Sequence, residues 1–162
     1  NPFVLDSTLA RRIWYPQSNL TVEYSEGWNM VGLPLIVNDN NYLVQFPNAV
    51  EGTLYGYNAI YEEENTLENG KGYWLRISIN DSNIFTGEPI SELNISLNEG
   101  WNMITGMSTI VQIESIIDND GIIIEGTVFG FDGVYQESGS LLAGKGYWLK
   151  ANSGGIITIV SD

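Results

Sequence analysis

The sequence predicts an all-β protein made of two copies of one antiparallel β repeat of about 70 residues. Three observations predict this class. Short segments alternate apolar and polar side chains with a period of two, as strands with one buried face do. Aromatic residues make up 12% of the chain and Gly occurs 18 times, a composition that favours strands and turns. The third observation is that three blocks of sequence occur twice.

The repeated blocks keep their order and nearly keep their spacing. They are Gly-Trp-Asn-Met at 27–30 and 100–103, Glu-Gly-Thr followed by an aromatic-rich hairpin at 51–61 and 125–135, and Gly-Lys-Gly-Tyr-Trp-Leu at 70–75 and 144–149. We therefore expect an extended N-terminal segment over 1–17, a first β repeat over 18–88 and a second over 89–162. The connection between the copies is too short for a free tether. We expect the copies to pack as a pseudo-two-fold β-sandwich or barrel-like unit.

Each copy is predicted to contain several short strands. The longest covers 72–79, where alternate residues starting at Tyr73 share one face. The Asp-Gly dipeptide at 132–133 predicts a tight hairpin turn in the second copy. Residues 110–117 are predicted to form a short helix in the second copy. The segment 38–41, rich in Asn and Asp, is predicted to be a loop in the first.

Charge and composition exclude several classes of function. The net charge is −14, with 20 acidic and 6 basic residues, so the chain repels nucleic acid and anionic membrane surfaces. Cys and His are both absent, which excludes disulfides, Cys/His zinc sites and any triad that needs an imidazole. No apolar run is long enough to span a bilayer.

The first 17 residues lie outside the repeat and are more apolar than a disordered leader usually is. The chain starts at Asn1 rather than Met, which suggests a processed or excised segment. An extended segment of this kind can add a strand to the open sheet edge of a neighbour. A structural module, such as a spacer or a fibre subunit that assembles through this segment, is therefore the alternative function.

The Gly-Trp-Asn and Gly-Lys-Gly-Tyr-Trp blocks resemble those of the repeat modules in secreted, multidomain surface proteins of bacteria and some archaea. The resemblance covers about residues 18–160 and includes both copies. It implies an extracellular or cell-surface β module, often near the end of larger adhesins, proteases or glycan-degrading enzymes. It implies no catalytic residues.

Residues present in both copies are those that the fold itself most needs. The four tryptophans of the repeated blocks are therefore expected to pack in the core or against the hairpins. Gly72 and Gly146 are expected to be turn or bulge positions, needing either positive φ or close backbone approach. The four tryptophans are Trp28, Trp74, Trp101 and Trp148.

Aromatic residues found in one copy only are the candidate ligand contacts. Trp14 and Tyr15 precede the first repeat, and Tyr42 and Phe46 belong to its polar loop. Loops carry binding residues more often than strands do, and flat aromatic faces stack on sugar rings. Glycan contact is therefore one interpretation of these four residues, and local packing of the loop is the other.

A second candidate site is the Asx-rich segment of the second copy. Asp118, Asn119 and Asp120, followed by Gly121, resemble the start of a calcium loop. The twelfth position is Phe129 rather than Glu, so the complete EF-hand pattern is absent. The same residues also form turns without metal, by capping their own backbone. Calcium is therefore one interpretation of this segment, and the protein is expected to require no cofactor.

No recognisable active-site motif is present, although a glycosidase could use two carboxylates alone. We predict a non-catalytic, extracellular accessory module that binds a polysaccharide or another cell-surface component. The alternative is the structural module described above, whose partners would be neighbouring domains or subunits of the same protein.

Overall fold

The structure is a computed structural model that describes residues 16–161. These residues form fifteen strands, one four-residue helix and one 3-10 turn, so the all-β prediction is confirmed. Every strand pairing between named strands is antiparallel. No helix among the described residues is long and apolar enough to cross a membrane.

The elements fall into two successive halves. The first half contains β1 (Ser18–Tyr24), β2 (Gly27–Gly32), β3 (Leu35–Ile36), helix α1 (Tyr42–Gln45), β4 (Tyr55–Asn58), β5 (Ile60–Glu63), β6 (Gly72–Ile77) and β7 (Asp81–Pro89). The second half contains β8 (Glu92–Leu97), β9 (Gly100–Thr105), β10 (Val111–Gln112), the 3-10 turn (Ile113–Ser115), β11 (Phe129–Phe131), β12 (Tyr135–Glu137), β13 (Ser140–Leu141), β14 (Gly146–Ala151) and β15 (Gly155–Val160).

Each half has a four-stranded sheet, and the strand orders correspond. The order is β2-β6-β4-β5 in the first half and β9-β14-β11-β12 in the second. In each half the first strand pairs with the last, β1 with β7 and β8 with β15. The hairpin between β4 and β5 turns at Ala59 with φ 63°, and the hairpin between β11 and β12 turns at Gly133 with φ 74°. The predicted turn at 132–133 is therefore present.

Each half also has its own hydrophobic core. Alternate residues of β6, starting at Tyr73, are at most 1% exposed and point into the first core. Tyr147 and Leu149 of β14 are 4% and 0% exposed and point into the second core. Because side chains alternate along a strand, the intervening residues Trp74 and Trp148 point away from both cores.

The backbone contacts between the halves are reciprocal. Val31 of β2 bridges to Lys145, and Ile104 of β9 bridges to Lys71. Two hydrogen bonds repeat the same exchange. The Gly32 N–H donates to the Gly144 oxygen at 3.2 Å, and the Thr105 N–H donates to the Gly70 oxygen at 3.1 Å. Such exchange of positions is the pattern of an isologous contact about a two-fold axis.

Gly72 and Gly146 permit this contact. A Cβ at Gly72 would lie 2.6 Å from the Ile104 carbonyl oxygen, and one at Gly146 would lie 2.9 Å from the Val31 carbonyl oxygen. Neither glycine has positive φ. Of the two expected reasons for glycine here, close backbone approach is therefore the one that applies.

Gly32 and Thr105 occupy corresponding positions and face each other across the contact. A Cβ at Gly32 would lie 2.0 Å from Thr105 Oγ1, closer than any two such atoms can approach. Thr105 is completely buried, and its hydroxyl donates to the Lys145 oxygen at 2.7 Å. Only one of the two positions can therefore carry a side chain.

The short helix predicted within 110–117 is present only as the 3-10 turn Ile113–Ser115. Val111 pairs with Leu141, and the Ile113 N–H donates to the Gly139 oxygen at 2.9 Å. These backbone groups thus bond to another strand instead of to a preceding turn, and only the short 3-10 turn remains. In the first half, the predicted loop at 38–41 ends in helix α1, because Asn41 Oδ1 accepts from the Leu43 N–H at 2.9 Å and caps it.

Exchanging the side chains of Gly32 and Thr105 tests the packing between the halves. Gly32→Thr should destabilise the fold by about 3 kcal/mol, since it overpacks a buried contact. Adding Thr105→Gly should recover much of that loss, because the hydroxyl of residue 32 can then reach the Lys71 oxygen, the counterpart of the Lys145 oxygen. Urea unfolding midpoints measure both effects. Gly139→Thr is the matched control, since nothing lies within 4 Å of its Cβ position; additive losses in the double variant would contradict the reciprocal contact.

The buried phenols of Tyr73 and Tyr147 stabilise corresponding turns in the two halves by accepting backbone hydrogen bonds. Tyr73 Oη accepts from the Glu68 N–H and Tyr147 Oη from the Leu142 N–H, both at 2.9 Å. Burial raises the pKa of both phenols above the ordinary value. A raised pKa in the folded state means that the phenols contribute their full stability below about pH 10, and lose it as the pH rises further.

Tyr73→Phe should therefore have two effects. At pH 7 it should cost about 1–2 kcal/mol, because the Glu68 N–H loses its acceptor. Above about pH 10 the stability of the variant should fall less steeply than that of the parent, since one phenol no longer has to stay protonated. Urea unfolding at a series of alkaline pH values measures the slopes, and parallel curves would contradict this account.

Candidate functional site

Ten aromatic side chains cluster on the faces of the two four-stranded sheets that point away from the cores. We call this set the aromatic strip. None of its members is fully buried, and four of them are between 40% and 54% exposed. The members are Trp28, Tyr55, Tyr57, Tyr61 and Trp74 in the first half and Trp101, Phe129, Phe131, Tyr135 and Trp148 in the second.

Strand register brings the rings of each half together. Tyr55 lies directly opposite Trp74, and Tyr57 lies opposite Tyr61. In the second half Phe129 lies opposite Trp148 and Phe131 opposite Tyr135. Cross-strand neighbours on one face have Cβ atoms about 5 Å apart, so large rings in these positions touch.

The central rings meet across the two halves. Trp148 packs edge-to-face on Tyr57, with centroids 4.9 Å apart and planes at 82°. Trp74 packs on Phe131 at the same 4.9 Å and at 76°. Edge-to-face pairs contribute about 0.5–1.5 kcal/mol beyond the area that they bury. The centre of the strip is therefore held by two equivalent ring pairs.

The outer rings leave two open grooves. Groove 1 has a volume of about 450 Å³ and is lined only by Trp28, Tyr55, Tyr61, Trp74 and Phe131. Groove 2 has a volume of about 570 Å³ and is lined only by Tyr57, Tyr61, Trp101, Phe129, Tyr135 and Trp148. Both volumes lie in the range typical of small-ligand sites. Tyr61 belongs to both grooves, so the strip is continuous.

A charged pair accompanies each groove on the same sheet face. Arg76 lies opposite Trp28, and Glu63 lies opposite Tyr55. At the corresponding positions Lys150 lies opposite Trp101, and Glu137 lies opposite Phe129. Lys150 Nζ is 5.7 Å from the centroid of the Trp101 ring, within the range of a cation–π contact. Each groove thus has hydrogen-bonding groups beside its rings.

The Tyr61 phenol stays protonated at neutral pH. Partial burial raises its pKa above the ordinary value, and the neighbouring phenols of Tyr135 and Tyr57 act in the same direction. A hydrogen bond with Trp74 partly offsets this. The shared ring of the two grooves is therefore uncharged and keeps a hydroxyl donor.

Lys145 and Tyr24 form a set of contacts between the two halves, beside the aromatic strip. Lys145 Nζ donates to the Glu23 carbonyl oxygen and lies 4.4 Å from the centroid of the Tyr24 ring. Burial lowers the pKa of Lys145, although Asp132 and Glu23 favour its charged form. Tyr24 Oη in turn donates to the Gly144 oxygen at 2.5 Å. These contacts attach β1 to the second half. They give Lys145 and Tyr24 a structural role that needs no ligand.

Two of the predicted ligand contacts are buried. Tyr42 and Phe46 are 2% and 1% exposed. Tyr42 Oη accepts from the Gly52 N–H at 2.8 Å, and Phe46 packs edge-to-face on Phe85. Both side chains therefore belong to the first core, which agrees with the packing interpretation and leaves neither ring exposed to a ligand. Trp14 and Tyr15 lie outside the described residues, as does most of the segment proposed to mediate assembly.

The Asx-rich segment of the second half is a backbone-capped turn. The two carboxylate oxygens of Asp118 accept from the Ile122 and Ile123 N–H groups, both at 2.9 Å. Asn119 and Asp120 are exposed. Within residues 16–161 no group of three acidic, His or Cys side chains is arranged to hold a metal ion. The geometry is that of the turn in which an Asx side chain caps the backbone, the other interpretation of this segment.

The repeated tryptophans are not core residues. Trp28 and Trp101 are 47% and 40% exposed, and Trp74 and Trp148 are half-buried. All four pack against rings of the hairpins, which is the second of the two expected placements. The alternation predicted for the strand over 72–79 indicates that Trp74 lies outside the core, since a buried Tyr73 places Trp74 on the opposite face.

No family model, curated protein or solved structure matches this chain. The resemblance to surface-protein repeat modules therefore remains a prediction based on the repeated motifs.

The stability of single-ring variants distinguishes the strip from the core. Phe46→Ala should lower the free energy of unfolding by about 3–5 kcal/mol, since it empties a closed core. Trp28→Ala should cost only about 1 kcal/mol, because nearly half of its surface is already in water. Urea unfolding of both variants checks this, and an equal loss would show that the strip is part of the core.

Proposed function

We propose that this protein is a non-catalytic, extracellular or cell-surface module that binds a polysaccharide through the aromatic strip. The observation that carries the proposal is the ten-ring strip, which remains open although the chain has two complete cores elsewhere. Exposed apolar patches of this kind usually mark interaction sites.

The chemistry of the grooves supports a sugar ligand. The axial C–H faces of a sugar ring are apolar and pack on aromatic rings, while its hydroxyl groups need hydrogen-bond partners. Both features occur together here, because each groove has at least four rings and a charged pair on the same sheet face. Charged donors and acceptors form stronger hydrogen bonds than neutral ones.

The charge of the protein supports an uncharged polymer. The net charge is −14, and both grooves have a carboxylate, Glu63 or Glu137, on the sheet face that forms them. A polyanion would be repelled at long range as well as at the site. A neutral polysaccharide avoids this repulsion.

The composition of the groove walls supports binding rather than catalysis. The residues that line both grooves are all aromatic. Glycoside hydrolysis ordinarily requires a pair of carboxyl groups on opposite sides of the scissile bond. A lining of rings supplies contact area and orientation instead.

The test is retention of the full chain on insoluble cellulose, chitin, xylan and mannan. We expect at least one of these neutral polymers to retain it, with soluble alginate failing to compete. Replacing both outer tryptophans, in Trp28→Ala/Trp101→Ala, should weaken retention at least about tenfold, as loss of central aromatic contacts does. Ile84→Ala/Ile156→Ala is the matched control, because both isoleucines are at least 60% exposed but lie on β7 and β15, outside the strip.

Two results would overturn the proposal. One is that none of the four polymers retains the protein. The other is that the double tryptophan variant binds as tightly as the parent. Binding of a proline-rich peptide without any polysaccharide would favour the other known use of aromatic grooves.

A further inference from the structure

We propose that the aromatic strip is two equivalent sugar sites that run in opposite directions, one in each groove, so that one chain binds two segments of a neutral polysaccharide. This inference rests on the proposed function. It adds the number of sites, their relative direction and the way in which they act together.

The two grooves have equivalent walls. Groove 1 has two tryptophans, one tyrosine and one phenylalanine in addition to Tyr61, which belongs to both grooves. Groove 2 contains the counterpart of every ring of groove 1, with Tyr135 at the position that corresponds to Tyr61, and it has Tyr61 as one further ring. The ring spacings agree as well. Trp28 and Tyr55 are 6.3 Å apart in groove 1, as are Trp101 and Phe129 in groove 2. Tyr61 and Tyr135, which occupy corresponding positions, contact Trp148 and Trp74 at 6.5 and 6.4 Å.

Each groove takes its walls from both halves in the same way. Groove 1 combines the tryptophans of the first half with Phe131, and groove 2 combines those of the second half with Tyr57. The backbone contacts are exchanged in the same manner, Val31 with Lys145 and Ile104 with Lys71. The operation that exchanges the halves therefore exchanges the grooves as well.

A two-fold relation reverses direction along the strip. A polysaccharide chain has different ends, so it presents its hydroxyl groups in one order only. If one straight chain crossed both grooves, it would meet Arg76 and Glu63 in one order, and Lys150 and Glu137 in the reverse order. Equivalent contacts in both grooves therefore require two segments that run antiparallel.

Two sites in one rigid unit change how the protein holds a polymer. When the first groove has bound, the second faces neighbouring segments at high effective concentration. Linked sites can exceed the affinity of a single site by about 10² to 10⁴. Weak sites for short oligosaccharides and firm retention on a dense polymer surface then follow from the same geometry.

The test is calorimetric titration of the full chain with the tetrasaccharide of the polymer that retains it: cellotetraose, chitotetraose, xylotetraose or mannotetraose. We expect two sites per 18.0 kDa chain, with affinities within about threefold of each other. Trp28→Ala and Trp101→Ala should each leave one site with the affinity of the parent. Retention on the polymer should fall at least about tenfold in either variant, because the linkage of two sites is lost.

Arg76→Ala and Lys150→Ala provide a second pair, in which all the rings are kept. Each should weaken one of the two sites and leave the other unchanged. One site per chain, or loss of all tetrasaccharide binding in either single tryptophan variant, would overturn the two-site inference while the proposed function stands. Failure of all four polymers to retain the parent protein would overturn both.

Discussion

The close backbone approach between the two halves is the constraint on which the rest of this structure depends. Lys145 and Lys71 bridge to the facing β2 and β9 strands only because Gly146 and Gly72, the next residues, have no side chain. A carbonyl oxygen lies within 2.9 Å of the position that each Cβ would occupy, which is too close for a real side chain. Unpaired backbone groups are costly to bury, so these bridges and the hydrogen bonds beside them fix both the distance and the orientation of the sheets.

That orientation creates the aromatic strip. Each half uses one face of its four-stranded sheet for its own core, and the other face carries rings at alternate positions. Docking the halves brings Trp74 to Phe131 and Trp148 to Tyr57. The outer rings are left with no protein partner on one side. A surface rich in aromatic residues thus results from the same contact that holds the halves together.

The all-β class, the start of the strand at Gly72 and the role of the glycines at 72 and 146 could be predicted, because period-two patterns and repeated glycines each have a direct backbone cause. The strand predicted over 72–79 ends two residues earlier, at Ile77. The aromatic strip could not be predicted, because it depends on which sheet faces meet, and the repeated blocks leave open whether their tryptophans pack in the core or against the hairpins. For Tyr42 and Phe46 the sequence leaves two interpretations open, because the rings lie in a polar loop sequence although they belong to the first core. Local hydrogen bonds determine the backbone conformation at 110–117 and at Asp118, where the sequence alone permits several conformations.

The Gly32–Thr105 contact limits how more than two such halves could be combined in one chain. A glycine facing a threonine makes each half fit the other better than it fits itself, since two threonines would collide and two glycines would leave a void. The contact is also closed, because each half uses the same surface that its partner uses. Solenoid repeats, by contrast, expose a fresh stacking surface at every step. A chain with more than two such halves would therefore consist of separate pairs joined by linkers, rather than of single repeats stacked in one continuous array.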